Sequence, residues 1–306
     1  MSRSLALIVT VFNEADNIEA WLLSYARQSL LADECLIVDA GSTDGTWEIL
    51  RACAKRQPQL RLRLWQRPSN RAQARNFAIC HTQCQYLAMT DAGCVLDPEW
   101  LAQLWQVQQA TEAEVVSGFF QGLPAGPLAE AMTPFFLQLR VAEDGGDFLP
   151  TTRSVLVGRA AWEQAGGFNE RLILSEDYDF FRRLWRAQHS FAFARQALVS
   201  WRGPATGREF VSKLAAFASS DIEAGILRGK VVLLLLRYLL ALLILFSPVP
   251  WLLAILLPLY CFWSIHKHRS YLPRWWWLLP VLQISADLAV MWGTLRALPQ
   301  FKTRAP

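Results

Sequence analysis

Charge is scarce in this chain: Asp, Glu, Lys and Arg make up 18% of 306 residues, below the roughly one quarter of an ordinary soluble protein. That shortage excludes a disordered, solvating segment and a nucleic-acid-binding arm, so no nucleic acid is expected as a partner. Cysteine is sparse as well. The six cysteines (35, 53, 80, 84, 94 and 261) form no dense framework and no Cys-x-x-Cys. Cys80 and Cys84 are spaced for one helix face, but no histidine-rich partner set accompanies them, which argues against a zinc site. Free thiols in a reducing compartment are the expectation. The run Leu5-Ala6-Leu7-Ile8-Val9 is too short for a signal-peptide core and reads as a first buried strand. No Gly-x-Gly-x-x-Gly or other phosphate-gripping glycine turn follows it, which removes dehydrogenase and nucleotidyltransferase readings.

What the chain has is apolar bulk: 53% hydrophobic residues, with 14 Trp and 17 Phe. The net charge of +4 hides a split. From Arg228 onward nine bases face one acid, Asp287, whereas residues 1–227 carry 21 bases and 25 acids. An acidic domain at 1–227 precedes a basic, apolar tail at 228–306. In the tail, Val231–Leu236 and Tyr238–Phe246 are interrupted only by Arg237, Trp251–Trp263 is nearly all apolar, and Trp275–Leu298 contains Asp287 and Arg296. A membrane-crossing helix needs ~20 apolar residues, and Trp275-Trp276-Trp277 with Tyr271 beside basic residues resembles an interfacial aromatic belt. Transmembrane or membrane-associated helices follow. Two arrangements suit the charges. In one, a hairpin turning at Ser247–Pro250 precedes a third segment that either crosses or, as the cost of burying Asp287 favours, lies partly in the interface or packs on protein; in the other, a single span runs from about Tyr238 to Trp263.

The first hundred residues alternate strands and helices. Leu5–Val11 and Cys35–Val38 read as buried strands, Leu60–Trp65 as a third and Tyr86–Met89 as a fourth. Helical spacing follows the first strand at Ile18, Trp21, Leu22 and Tyr25, and recurs at Ala72–Cys80. This order predicts an α/β fold, a mostly parallel sheet with helices on both faces. Ligands of such sheets sit at the carboxyl ends of the strands, where Thr10, Asp39 and Asp91 all fall. Later, the pattern loosens, with a short helix expected near Pro134–Arg140 and further helices at Ala160–Ala165 and Tyr178–Ala187.

Five ordered motifs carry a family resemblance. They are Thr10-Val11-Phe12-Asn13-Glu14, Val38-Asp39-Ala40-Gly41-Ser42-Thr43-Asp44-Gly45-Thr46, Ala74-Arg75-Asn76, Thr90-Asp91-Ala92-Gly93, and Gly166-Gly167-Phe168 with Ser175-Glu176-Asp177. Over roughly residues 4–205 the chain resembles glycosyltransferase family 2. The resemblance implies the GT-A fold, a nucleotide-sugar donor (a UDP-sugar is expected) and a divalent cation, Mg²⁺ or Mn²⁺. Thr10, Phe12 and Glu14 match the nucleotide-contacting first loop. Asp39 matches the acid that recognises base or ribose; a carboxylate at a strand end accepts well from a ribose hydroxyl or imide N–H. Arg75 either neutralises the diphosphate or orders the pocket. Asp91 opens the family's Asp-x-Asp motif and is the expected metal ligand, but the second carboxylate is missing here. Hard cations take carboxylate, phosphate and water oxygens with few protein ligands. Either Asp91 suffices or another acid such as Asp97 contributes.

Asp177 matches the base of inverting members. Its neighbour Glu176 orients either the acceptor or a nearby helix; the pair also suits a simple helix start. Arg153, Trp201 and Arg202 resemble acceptor-side positions. The combined expectation is an inverting, metal-assisted transferase at the cytoplasmic face of the inner membrane, acting on a lipid-linked or membrane-proximal glycan acceptor. Two other readings stand beside it. One is a processive polysaccharide synthase, which the absence of Gln-x-x-Arg-Trp disfavours; the other is a membrane-anchored module that binds a nucleotide sugar without catalysis.

Overall fold

A computed structural model describes residues 4–137 and 149–301. The chain runs β1 (Leu5–Val11), α1 (Ala15–Ala26), β2 (Glu34–Asp39), α2 (Thr46–Arg56), β3 (Leu62–Gln66), α3 (Arg71–Cys80), β4 (Tyr86–Asp91), β5 (Cys94–Leu96), α4 (Trp100–Thr111), β6 (Val115–Gly122) and α5 (Pro127–Met132). It continues through β7 (Val155–Gly158), α6 (Arg159–Gln164), α7 (Glu176–Arg186), β8 (Phe191–Trp201), α8 (Gly207–Glu223), α9 (Gly229–Leu245), α10 (Leu252–Lys267) and α11 (Leu279–Phe301). These residues form two compact units, 4–121 with 149–202 and 122–137 with 203–301.

The first unit is built on one eight-stranded sheet, in the order β3-β2-β1-β4-β7-β6-β8-β5. The sheet expected to be mostly parallel is mixed. β1 pairs in parallel with β2 and β4, and β2 with β3, but β4–β7, β6–β7 and β5–β8 are antiparallel. Parallel neighbours need helical crossovers, which α1, α2 and α3 supply; β6 and β7 run in opposite directions and need none. β1 and β2 are apolar because helices cover both faces: Leu5, Ala6, Leu7, Val9, Leu36, Ile37 and Val38 are all fully buried. Register then fixes function. Thr10 lies opposite Asp91 and Val11 opposite Asp39, so the ends of three strands reach one edge together.

Three local expectations need correction. Leu60 closes a 3-10 turn (Pro58–Leu60), and β3 starts only at Leu62. Cys80 ends α3 while Cys84 lies beyond it, so the two share no helix face. The helix expected near Pro134–Arg140 forms earlier, as α5 and a 3-10 turn at Thr133–Phe135; Pro127 starts it, since a first-turn proline gives up no helical hydrogen bond. Residues 138–140 lie outside the described residues.

In the second unit α8 packs along α11. The contact is close enough that a Cβ on Gly293 would collide with the backbone carbonyl of Ala215. α8 therefore joins the later helices, upstream of the change in hydropathy at 227. Phe210 is buried against Phe135 and Phe136, edge to face. α9 and α10 are separate helices flanking 246–251, so no continuous helix runs from Tyr238 to Trp263. Trp276–Pro299 is the single stretch, among the described residues, long and apolar enough to cross a membrane; Leu252–Lys267 is a shorter apolar helix. Asp287, midway along α11, faces protein: Arg237 pairs with it, and Tyr238 and Tyr260 hydroxyls (3.1 and 2.6 Å) and the Gln283 amide (2.8 Å) donate to it. The outer faces are bare hydrocarbon, with Leu233 69%, Phe246 81% and Phe262 68% exposed.

Candidate functional site

The site is the carboxyl edge of β1, β2 and β4, and short loops build its rim. Asn13 takes a left-handed φ of 53°, which Asn tolerates better than most residues. The 13–15 turn then locks onto the 42–46 turn. Asn13 N–H donates to Ser42 Oγ (2.8 Å), Glu14 N–H to Thr46 Oγ1 (2.9 Å), Ala15 N–H to Asp44 Oδ2 (3.0 Å), and Thr43 N–H to Asn13 Oδ1 (3.0 Å). Hydrogen bonds from Thr46 above all hold the Asp44 carboxyl below its usual range. Asp39 is fully buried beneath this rim. Its Oδ1 accepts from the amides of Gly41 (3.1 Å) and Ser42 (2.8 Å), and its Oδ2 from Gln66 (3.2 Å). Thr10 is half-buried at the end of β1, and the Phe12 ring stands 58% exposed at the mouth.

Arg75 is the hub. From α3, and 3% exposed, it donates to Glu176 Oε1 at 2.5 Å and to Asp91 Oδ1 at 3.3 Å, joining residues 16 and 101 positions away. Its ordinary cationic state is reinforced by Glu176 and Asp91 against the cost of burial. Arg75 is therefore a buried, paired cation and not a solvated helix arginine. Arg153 approaches the other oxygen of Asp91 at 3.7 Å, with its guanidinium over the rings of Trp201 and Phe120. Trp201 reaches this place because β8 pairs with β5, setting Trp201 opposite Cys94 just beyond Asp91.

Glu176 and Asp177 open α7, so the simple helix-start reading describes their position; their surroundings add chemistry. Burial and the adjacent Glu176 push the Asp177 carboxyl up to about 6, against the pull of Arg75 and Arg153. A carboxyl titrating there exchanges protons near neutral pH. Ser175, just before the pair, holds a left-handed φ of 58°, a conformation that costs a non-glycine residue and concentrates at functional sites.

Asn76, next to Arg75, clasps the Gly-Gly-Phe loop. Its amide accepts from Phe168 N–H and donates to Phe168 O, both at 2.9 Å. Gly167 sits so close, at φ 73°, that a Cβ would lie 2.9 Å from Asn76 Oδ1. Arg183 of α7 ties the same loop, donating to the carbonyls of Ala165 and Gly167 (2.8 Å for the latter). Composition gave no sign of Arg183 or of Phe120; for Asn76 the motif itself was the signal.

Two expected members lie elsewhere. Arg202 is exposed and donates to Asn17 Oδ1 at 3.2 Å. Asp97 accepts from Glu99 N–H at 3.0 Å in the turn that precedes α4. Among the described residues no group of three or more His, Cys, Asp or Glu gathers to hold a metal. A hard cation shared with phosphates asks for less, one or two carboxylates. Asp91, about one third exposed at the rim, supplies one, and the carboxylate of Glu14 lies 3.7 Å from where a Cβ on Gly93 would stand. The oxygen donors present fit Mg²⁺ or Mn²⁺.

Residues 6–157 match the model of glycosyl transferase family 2. The chain is 27% identical over 197 residues to glycosyltransferase AglE of Haloferax volcanii, covering 63% of this chain and 65% of that protein. It is 29% identical over 197 residues to the succinoglycan biosynthesis protein ExoA of Rhizobium meliloti, covering 61% and 59%. Both matches span less than two thirds of the relative's own length. Among solved structures, mannosyltransferase PcManGT from Pyrobaculum calidifontis, in complex with GDP-Man and Mn²⁺, superposes with a TM-score of 0.68 at 18% identity, over 95% of this chain and 88% of that one. S. aureus TarS 1–349 in complex with UDP-GlcNAc gives 0.54 at 17% identity, over 98% and 92%. At these identities the likeness is one of fold, GT-A.

Proposed function

The chain belongs to glycosyltransferase family 2 through the domain at residues 6–157, and we propose that it is an inverting transferase using a nucleotide-sugar donor. The observation that carries this reading is Arg75, which ties Asp91 at the donor edge to Glu176 beside Asp177. Donor and acceptor chemistry thereby share one buried cation.

The nucleotide lies on the rim of the first and second loops, its base against the exposed Phe12 ring, with Thr10 beside it and Asp39 fixing the turn beneath. A UDP-sugar is the donor we expect. Asp91 would hold a divalent cation, which would offset the negative charge growing on the departing diphosphate. Asp177 takes the proton from the acceptor hydroxyl as its oxygen attacks the anomeric carbon. The bond from that carbon to the diphosphate oxygen breaks, its electron pair leaves on the nucleoside diphosphate, and the configuration inverts. Glu176, Arg153 and Trp201 line the acceptor side.

We take residues 1–227 as the catalytic part and 228–306 as the part that engages the membrane, with the active site on the cytoplasmic side and a lipid-linked or membrane-proximal glycan as acceptor. The bare apolar faces of α9, α10 and α11 support this: large exposed hydrocarbon surfaces mark a partner or a lipid phase. The test is Asp177→Asn in detergent-purified protein, with labelled transfer and UDP binding measured together. Transfer should fall by at least ~10²-fold while UDP binding stays. Near-normal turnover would overturn the base, and nucleotide binding without transfer by the unaltered chain would favour the non-catalytic module.

A further inference from the structure

Within the second unit, satisfying Asp287 leaves cations over. Arg237 pairs with Asp287, whose other acceptor positions take two tyrosine hydroxyls and the Gln283 amide. Arg228 grips Asp221 with two guanidinium nitrogens, at 2.6 and 2.8 Å. Lys267, in the last turn of α10, pairs with no carboxylate among the described residues. Its Nζ donates to the neutral Gln283 Oε1 at 3.0 Å and lies 5.4 Å from the ring centre of Trp263 and 5.9 Å from that of Phe135. Arg237 covers the same Trp263 ring at 5.0 Å, so α9 and α10 bring two cations to one indole. Lys230, exposed in the first turn of α9, is the other base that acts on Lys267, and Asp287 is the acid that does. Three bases against one acid leave a charge of +2 on Lys230 and Lys267.

Each of these lysines heads a stripe of exposed hydrocarbon. On α9, Leu233, Leu236 and Leu240 follow Lys230; on α10, Leu256, Leu259 and Trp263 precede Lys267. Steps of three and four residues put each set on one helix face. From Lys230 to Leu240 the stripe runs about 15 Å at ~1.5 Å per residue. A lysine that merely snorkels keeps its ammonium in water, whereas Gln283 and two rings hold that of Lys267 in place. Cationic heads above long apolar faces complement an amphiphile with an anionic head. The charge selects among such heads, since a phosphodiester carries a single negative charge and a phosphomonoester about −1.5 to −2 at neutral pH.

Resting on the transferase reading, we propose that Lys230 and Lys267 bind the head of a lipid bearing a phosphomonoester or a diphosphate, with its chain along the exposed faces of α9 and α10. That lipid is the carrier of the acceptor. Gln283 and Trp263 are positioning residues for Lys267.

The test titrates detergent-purified full-length protein with hexadecyl phosphate, counts bound lipid by native mass spectrometry, and measures UDP and GDP binding on the same samples. Hexadecyl phosphate should bind at least about 10-fold more tightly than phosphatidylglycerol or hexadecanol, and inorganic phosphate at equal concentration should not displace it. Lys230→Gln and Lys267→Gln should each weaken binding by at least about 10-fold, as loss of a charged hydrogen bond does, while Lys267→Arg retains it. Should Lys267→Gln fail to fold by thermal melting, Lys230→Gln, an exposed position, decides alone. Unchanged affinity in a folded glutamine variant overturns the site. Equal binding of phosphatidylglycerol would make it a seat for ordinary membrane lipid, equal binding of hexadecanol a bare apolar face, and displacement by inorganic phosphate a simple ion site; each overturns the assignment. A chain that takes hexadecyl phosphate as expected but neither UDP nor GDP keeps the lipid-phosphate site; there it is the transferase reading that fails, and with it the role as acceptor carrier.

Discussion

In the first unit one arginine gathers carboxylates; in the second one carboxylate gathers donors. Arg75 holds Asp91 and Glu176, with Arg153 nearby and Asp177 and Glu14 at the same edge. Two cations among four acids leave a negative excess; burial first, and then the adjacent Glu176, raise the proton affinity of Asp177. Asp287 is met by one arginine, two tyrosine hydroxyls and an amide, so the charge cancels and the acceptor oxygens are filled. Buried ion pairs survive only when geometry and extra hydrogen bonds offset lost hydration. The Asp287 group meets that condition and is closed. The Arg75 group leaves it deliberately incomplete, which makes it a place to receive a cation or a proton.

Removing each hub is the sharpest way to break the contrast. Arg75→Met strands Glu176 and Asp91, and should cost about 3–5 kcal/mol of stability with loss of UDP binding, read by thermal unfolding and nucleotide titration. Asp287→Asn leaves Arg237 without its counter-charge but keeps neighbours to bond with. A cost of about 1.5–3 kcal/mol is expected there, with UDP affinity unchanged; a loss of UDP affinity would show that the second group is not self-contained. Smaller again is the response to pH. Asp177 must be ionised to act as base, so kcat/KM should fall about tenfold, some 1.4 kcal/mol, per unit of pH below about 6. Stability moves the other way: a carboxyl raised in the folded state adds stability below its ordinary range, and that is lost as pH rises through about 6. Asp177→Asn should remove both trends, whereas Asp287→Asn should leave both in place.

Much of the first unit was legible because burial on two faces writes an unbroken apolar run. Leu5–Val11 and Cys35–Val38 could hardly be anything but covered strands, and their ends located Thr10, Asp39 and Asp91. The antiparallel half was not legible, because the direction of β7 depends on partners far along the chain. Nor was the Asn76 clasp, which joins residues 92 positions apart. The proximity of Glu14 to Gly93 needs both turns folded before it exists. In the tail, hydropathy marked the apolar segments. It could not say that α8, with its polar positions, would lie along α11, since that contact turns on a single small residue, Gly293.

The lock between the 13–15 and 42–46 turns has a consequence for the cost of binding. Each turn runs into a helix, α1 at Ala15 and α2 at Thr46, and four side-chain hydrogen bonds fix the two turns against each other. Ordering a loop residue on binding costs roughly 1–2 kcal/mol of backbone entropy. Here that ordering is complete when the chain folds, so an incoming nucleotide meets a preorganised mouth and keeps more of its contact energy as affinity.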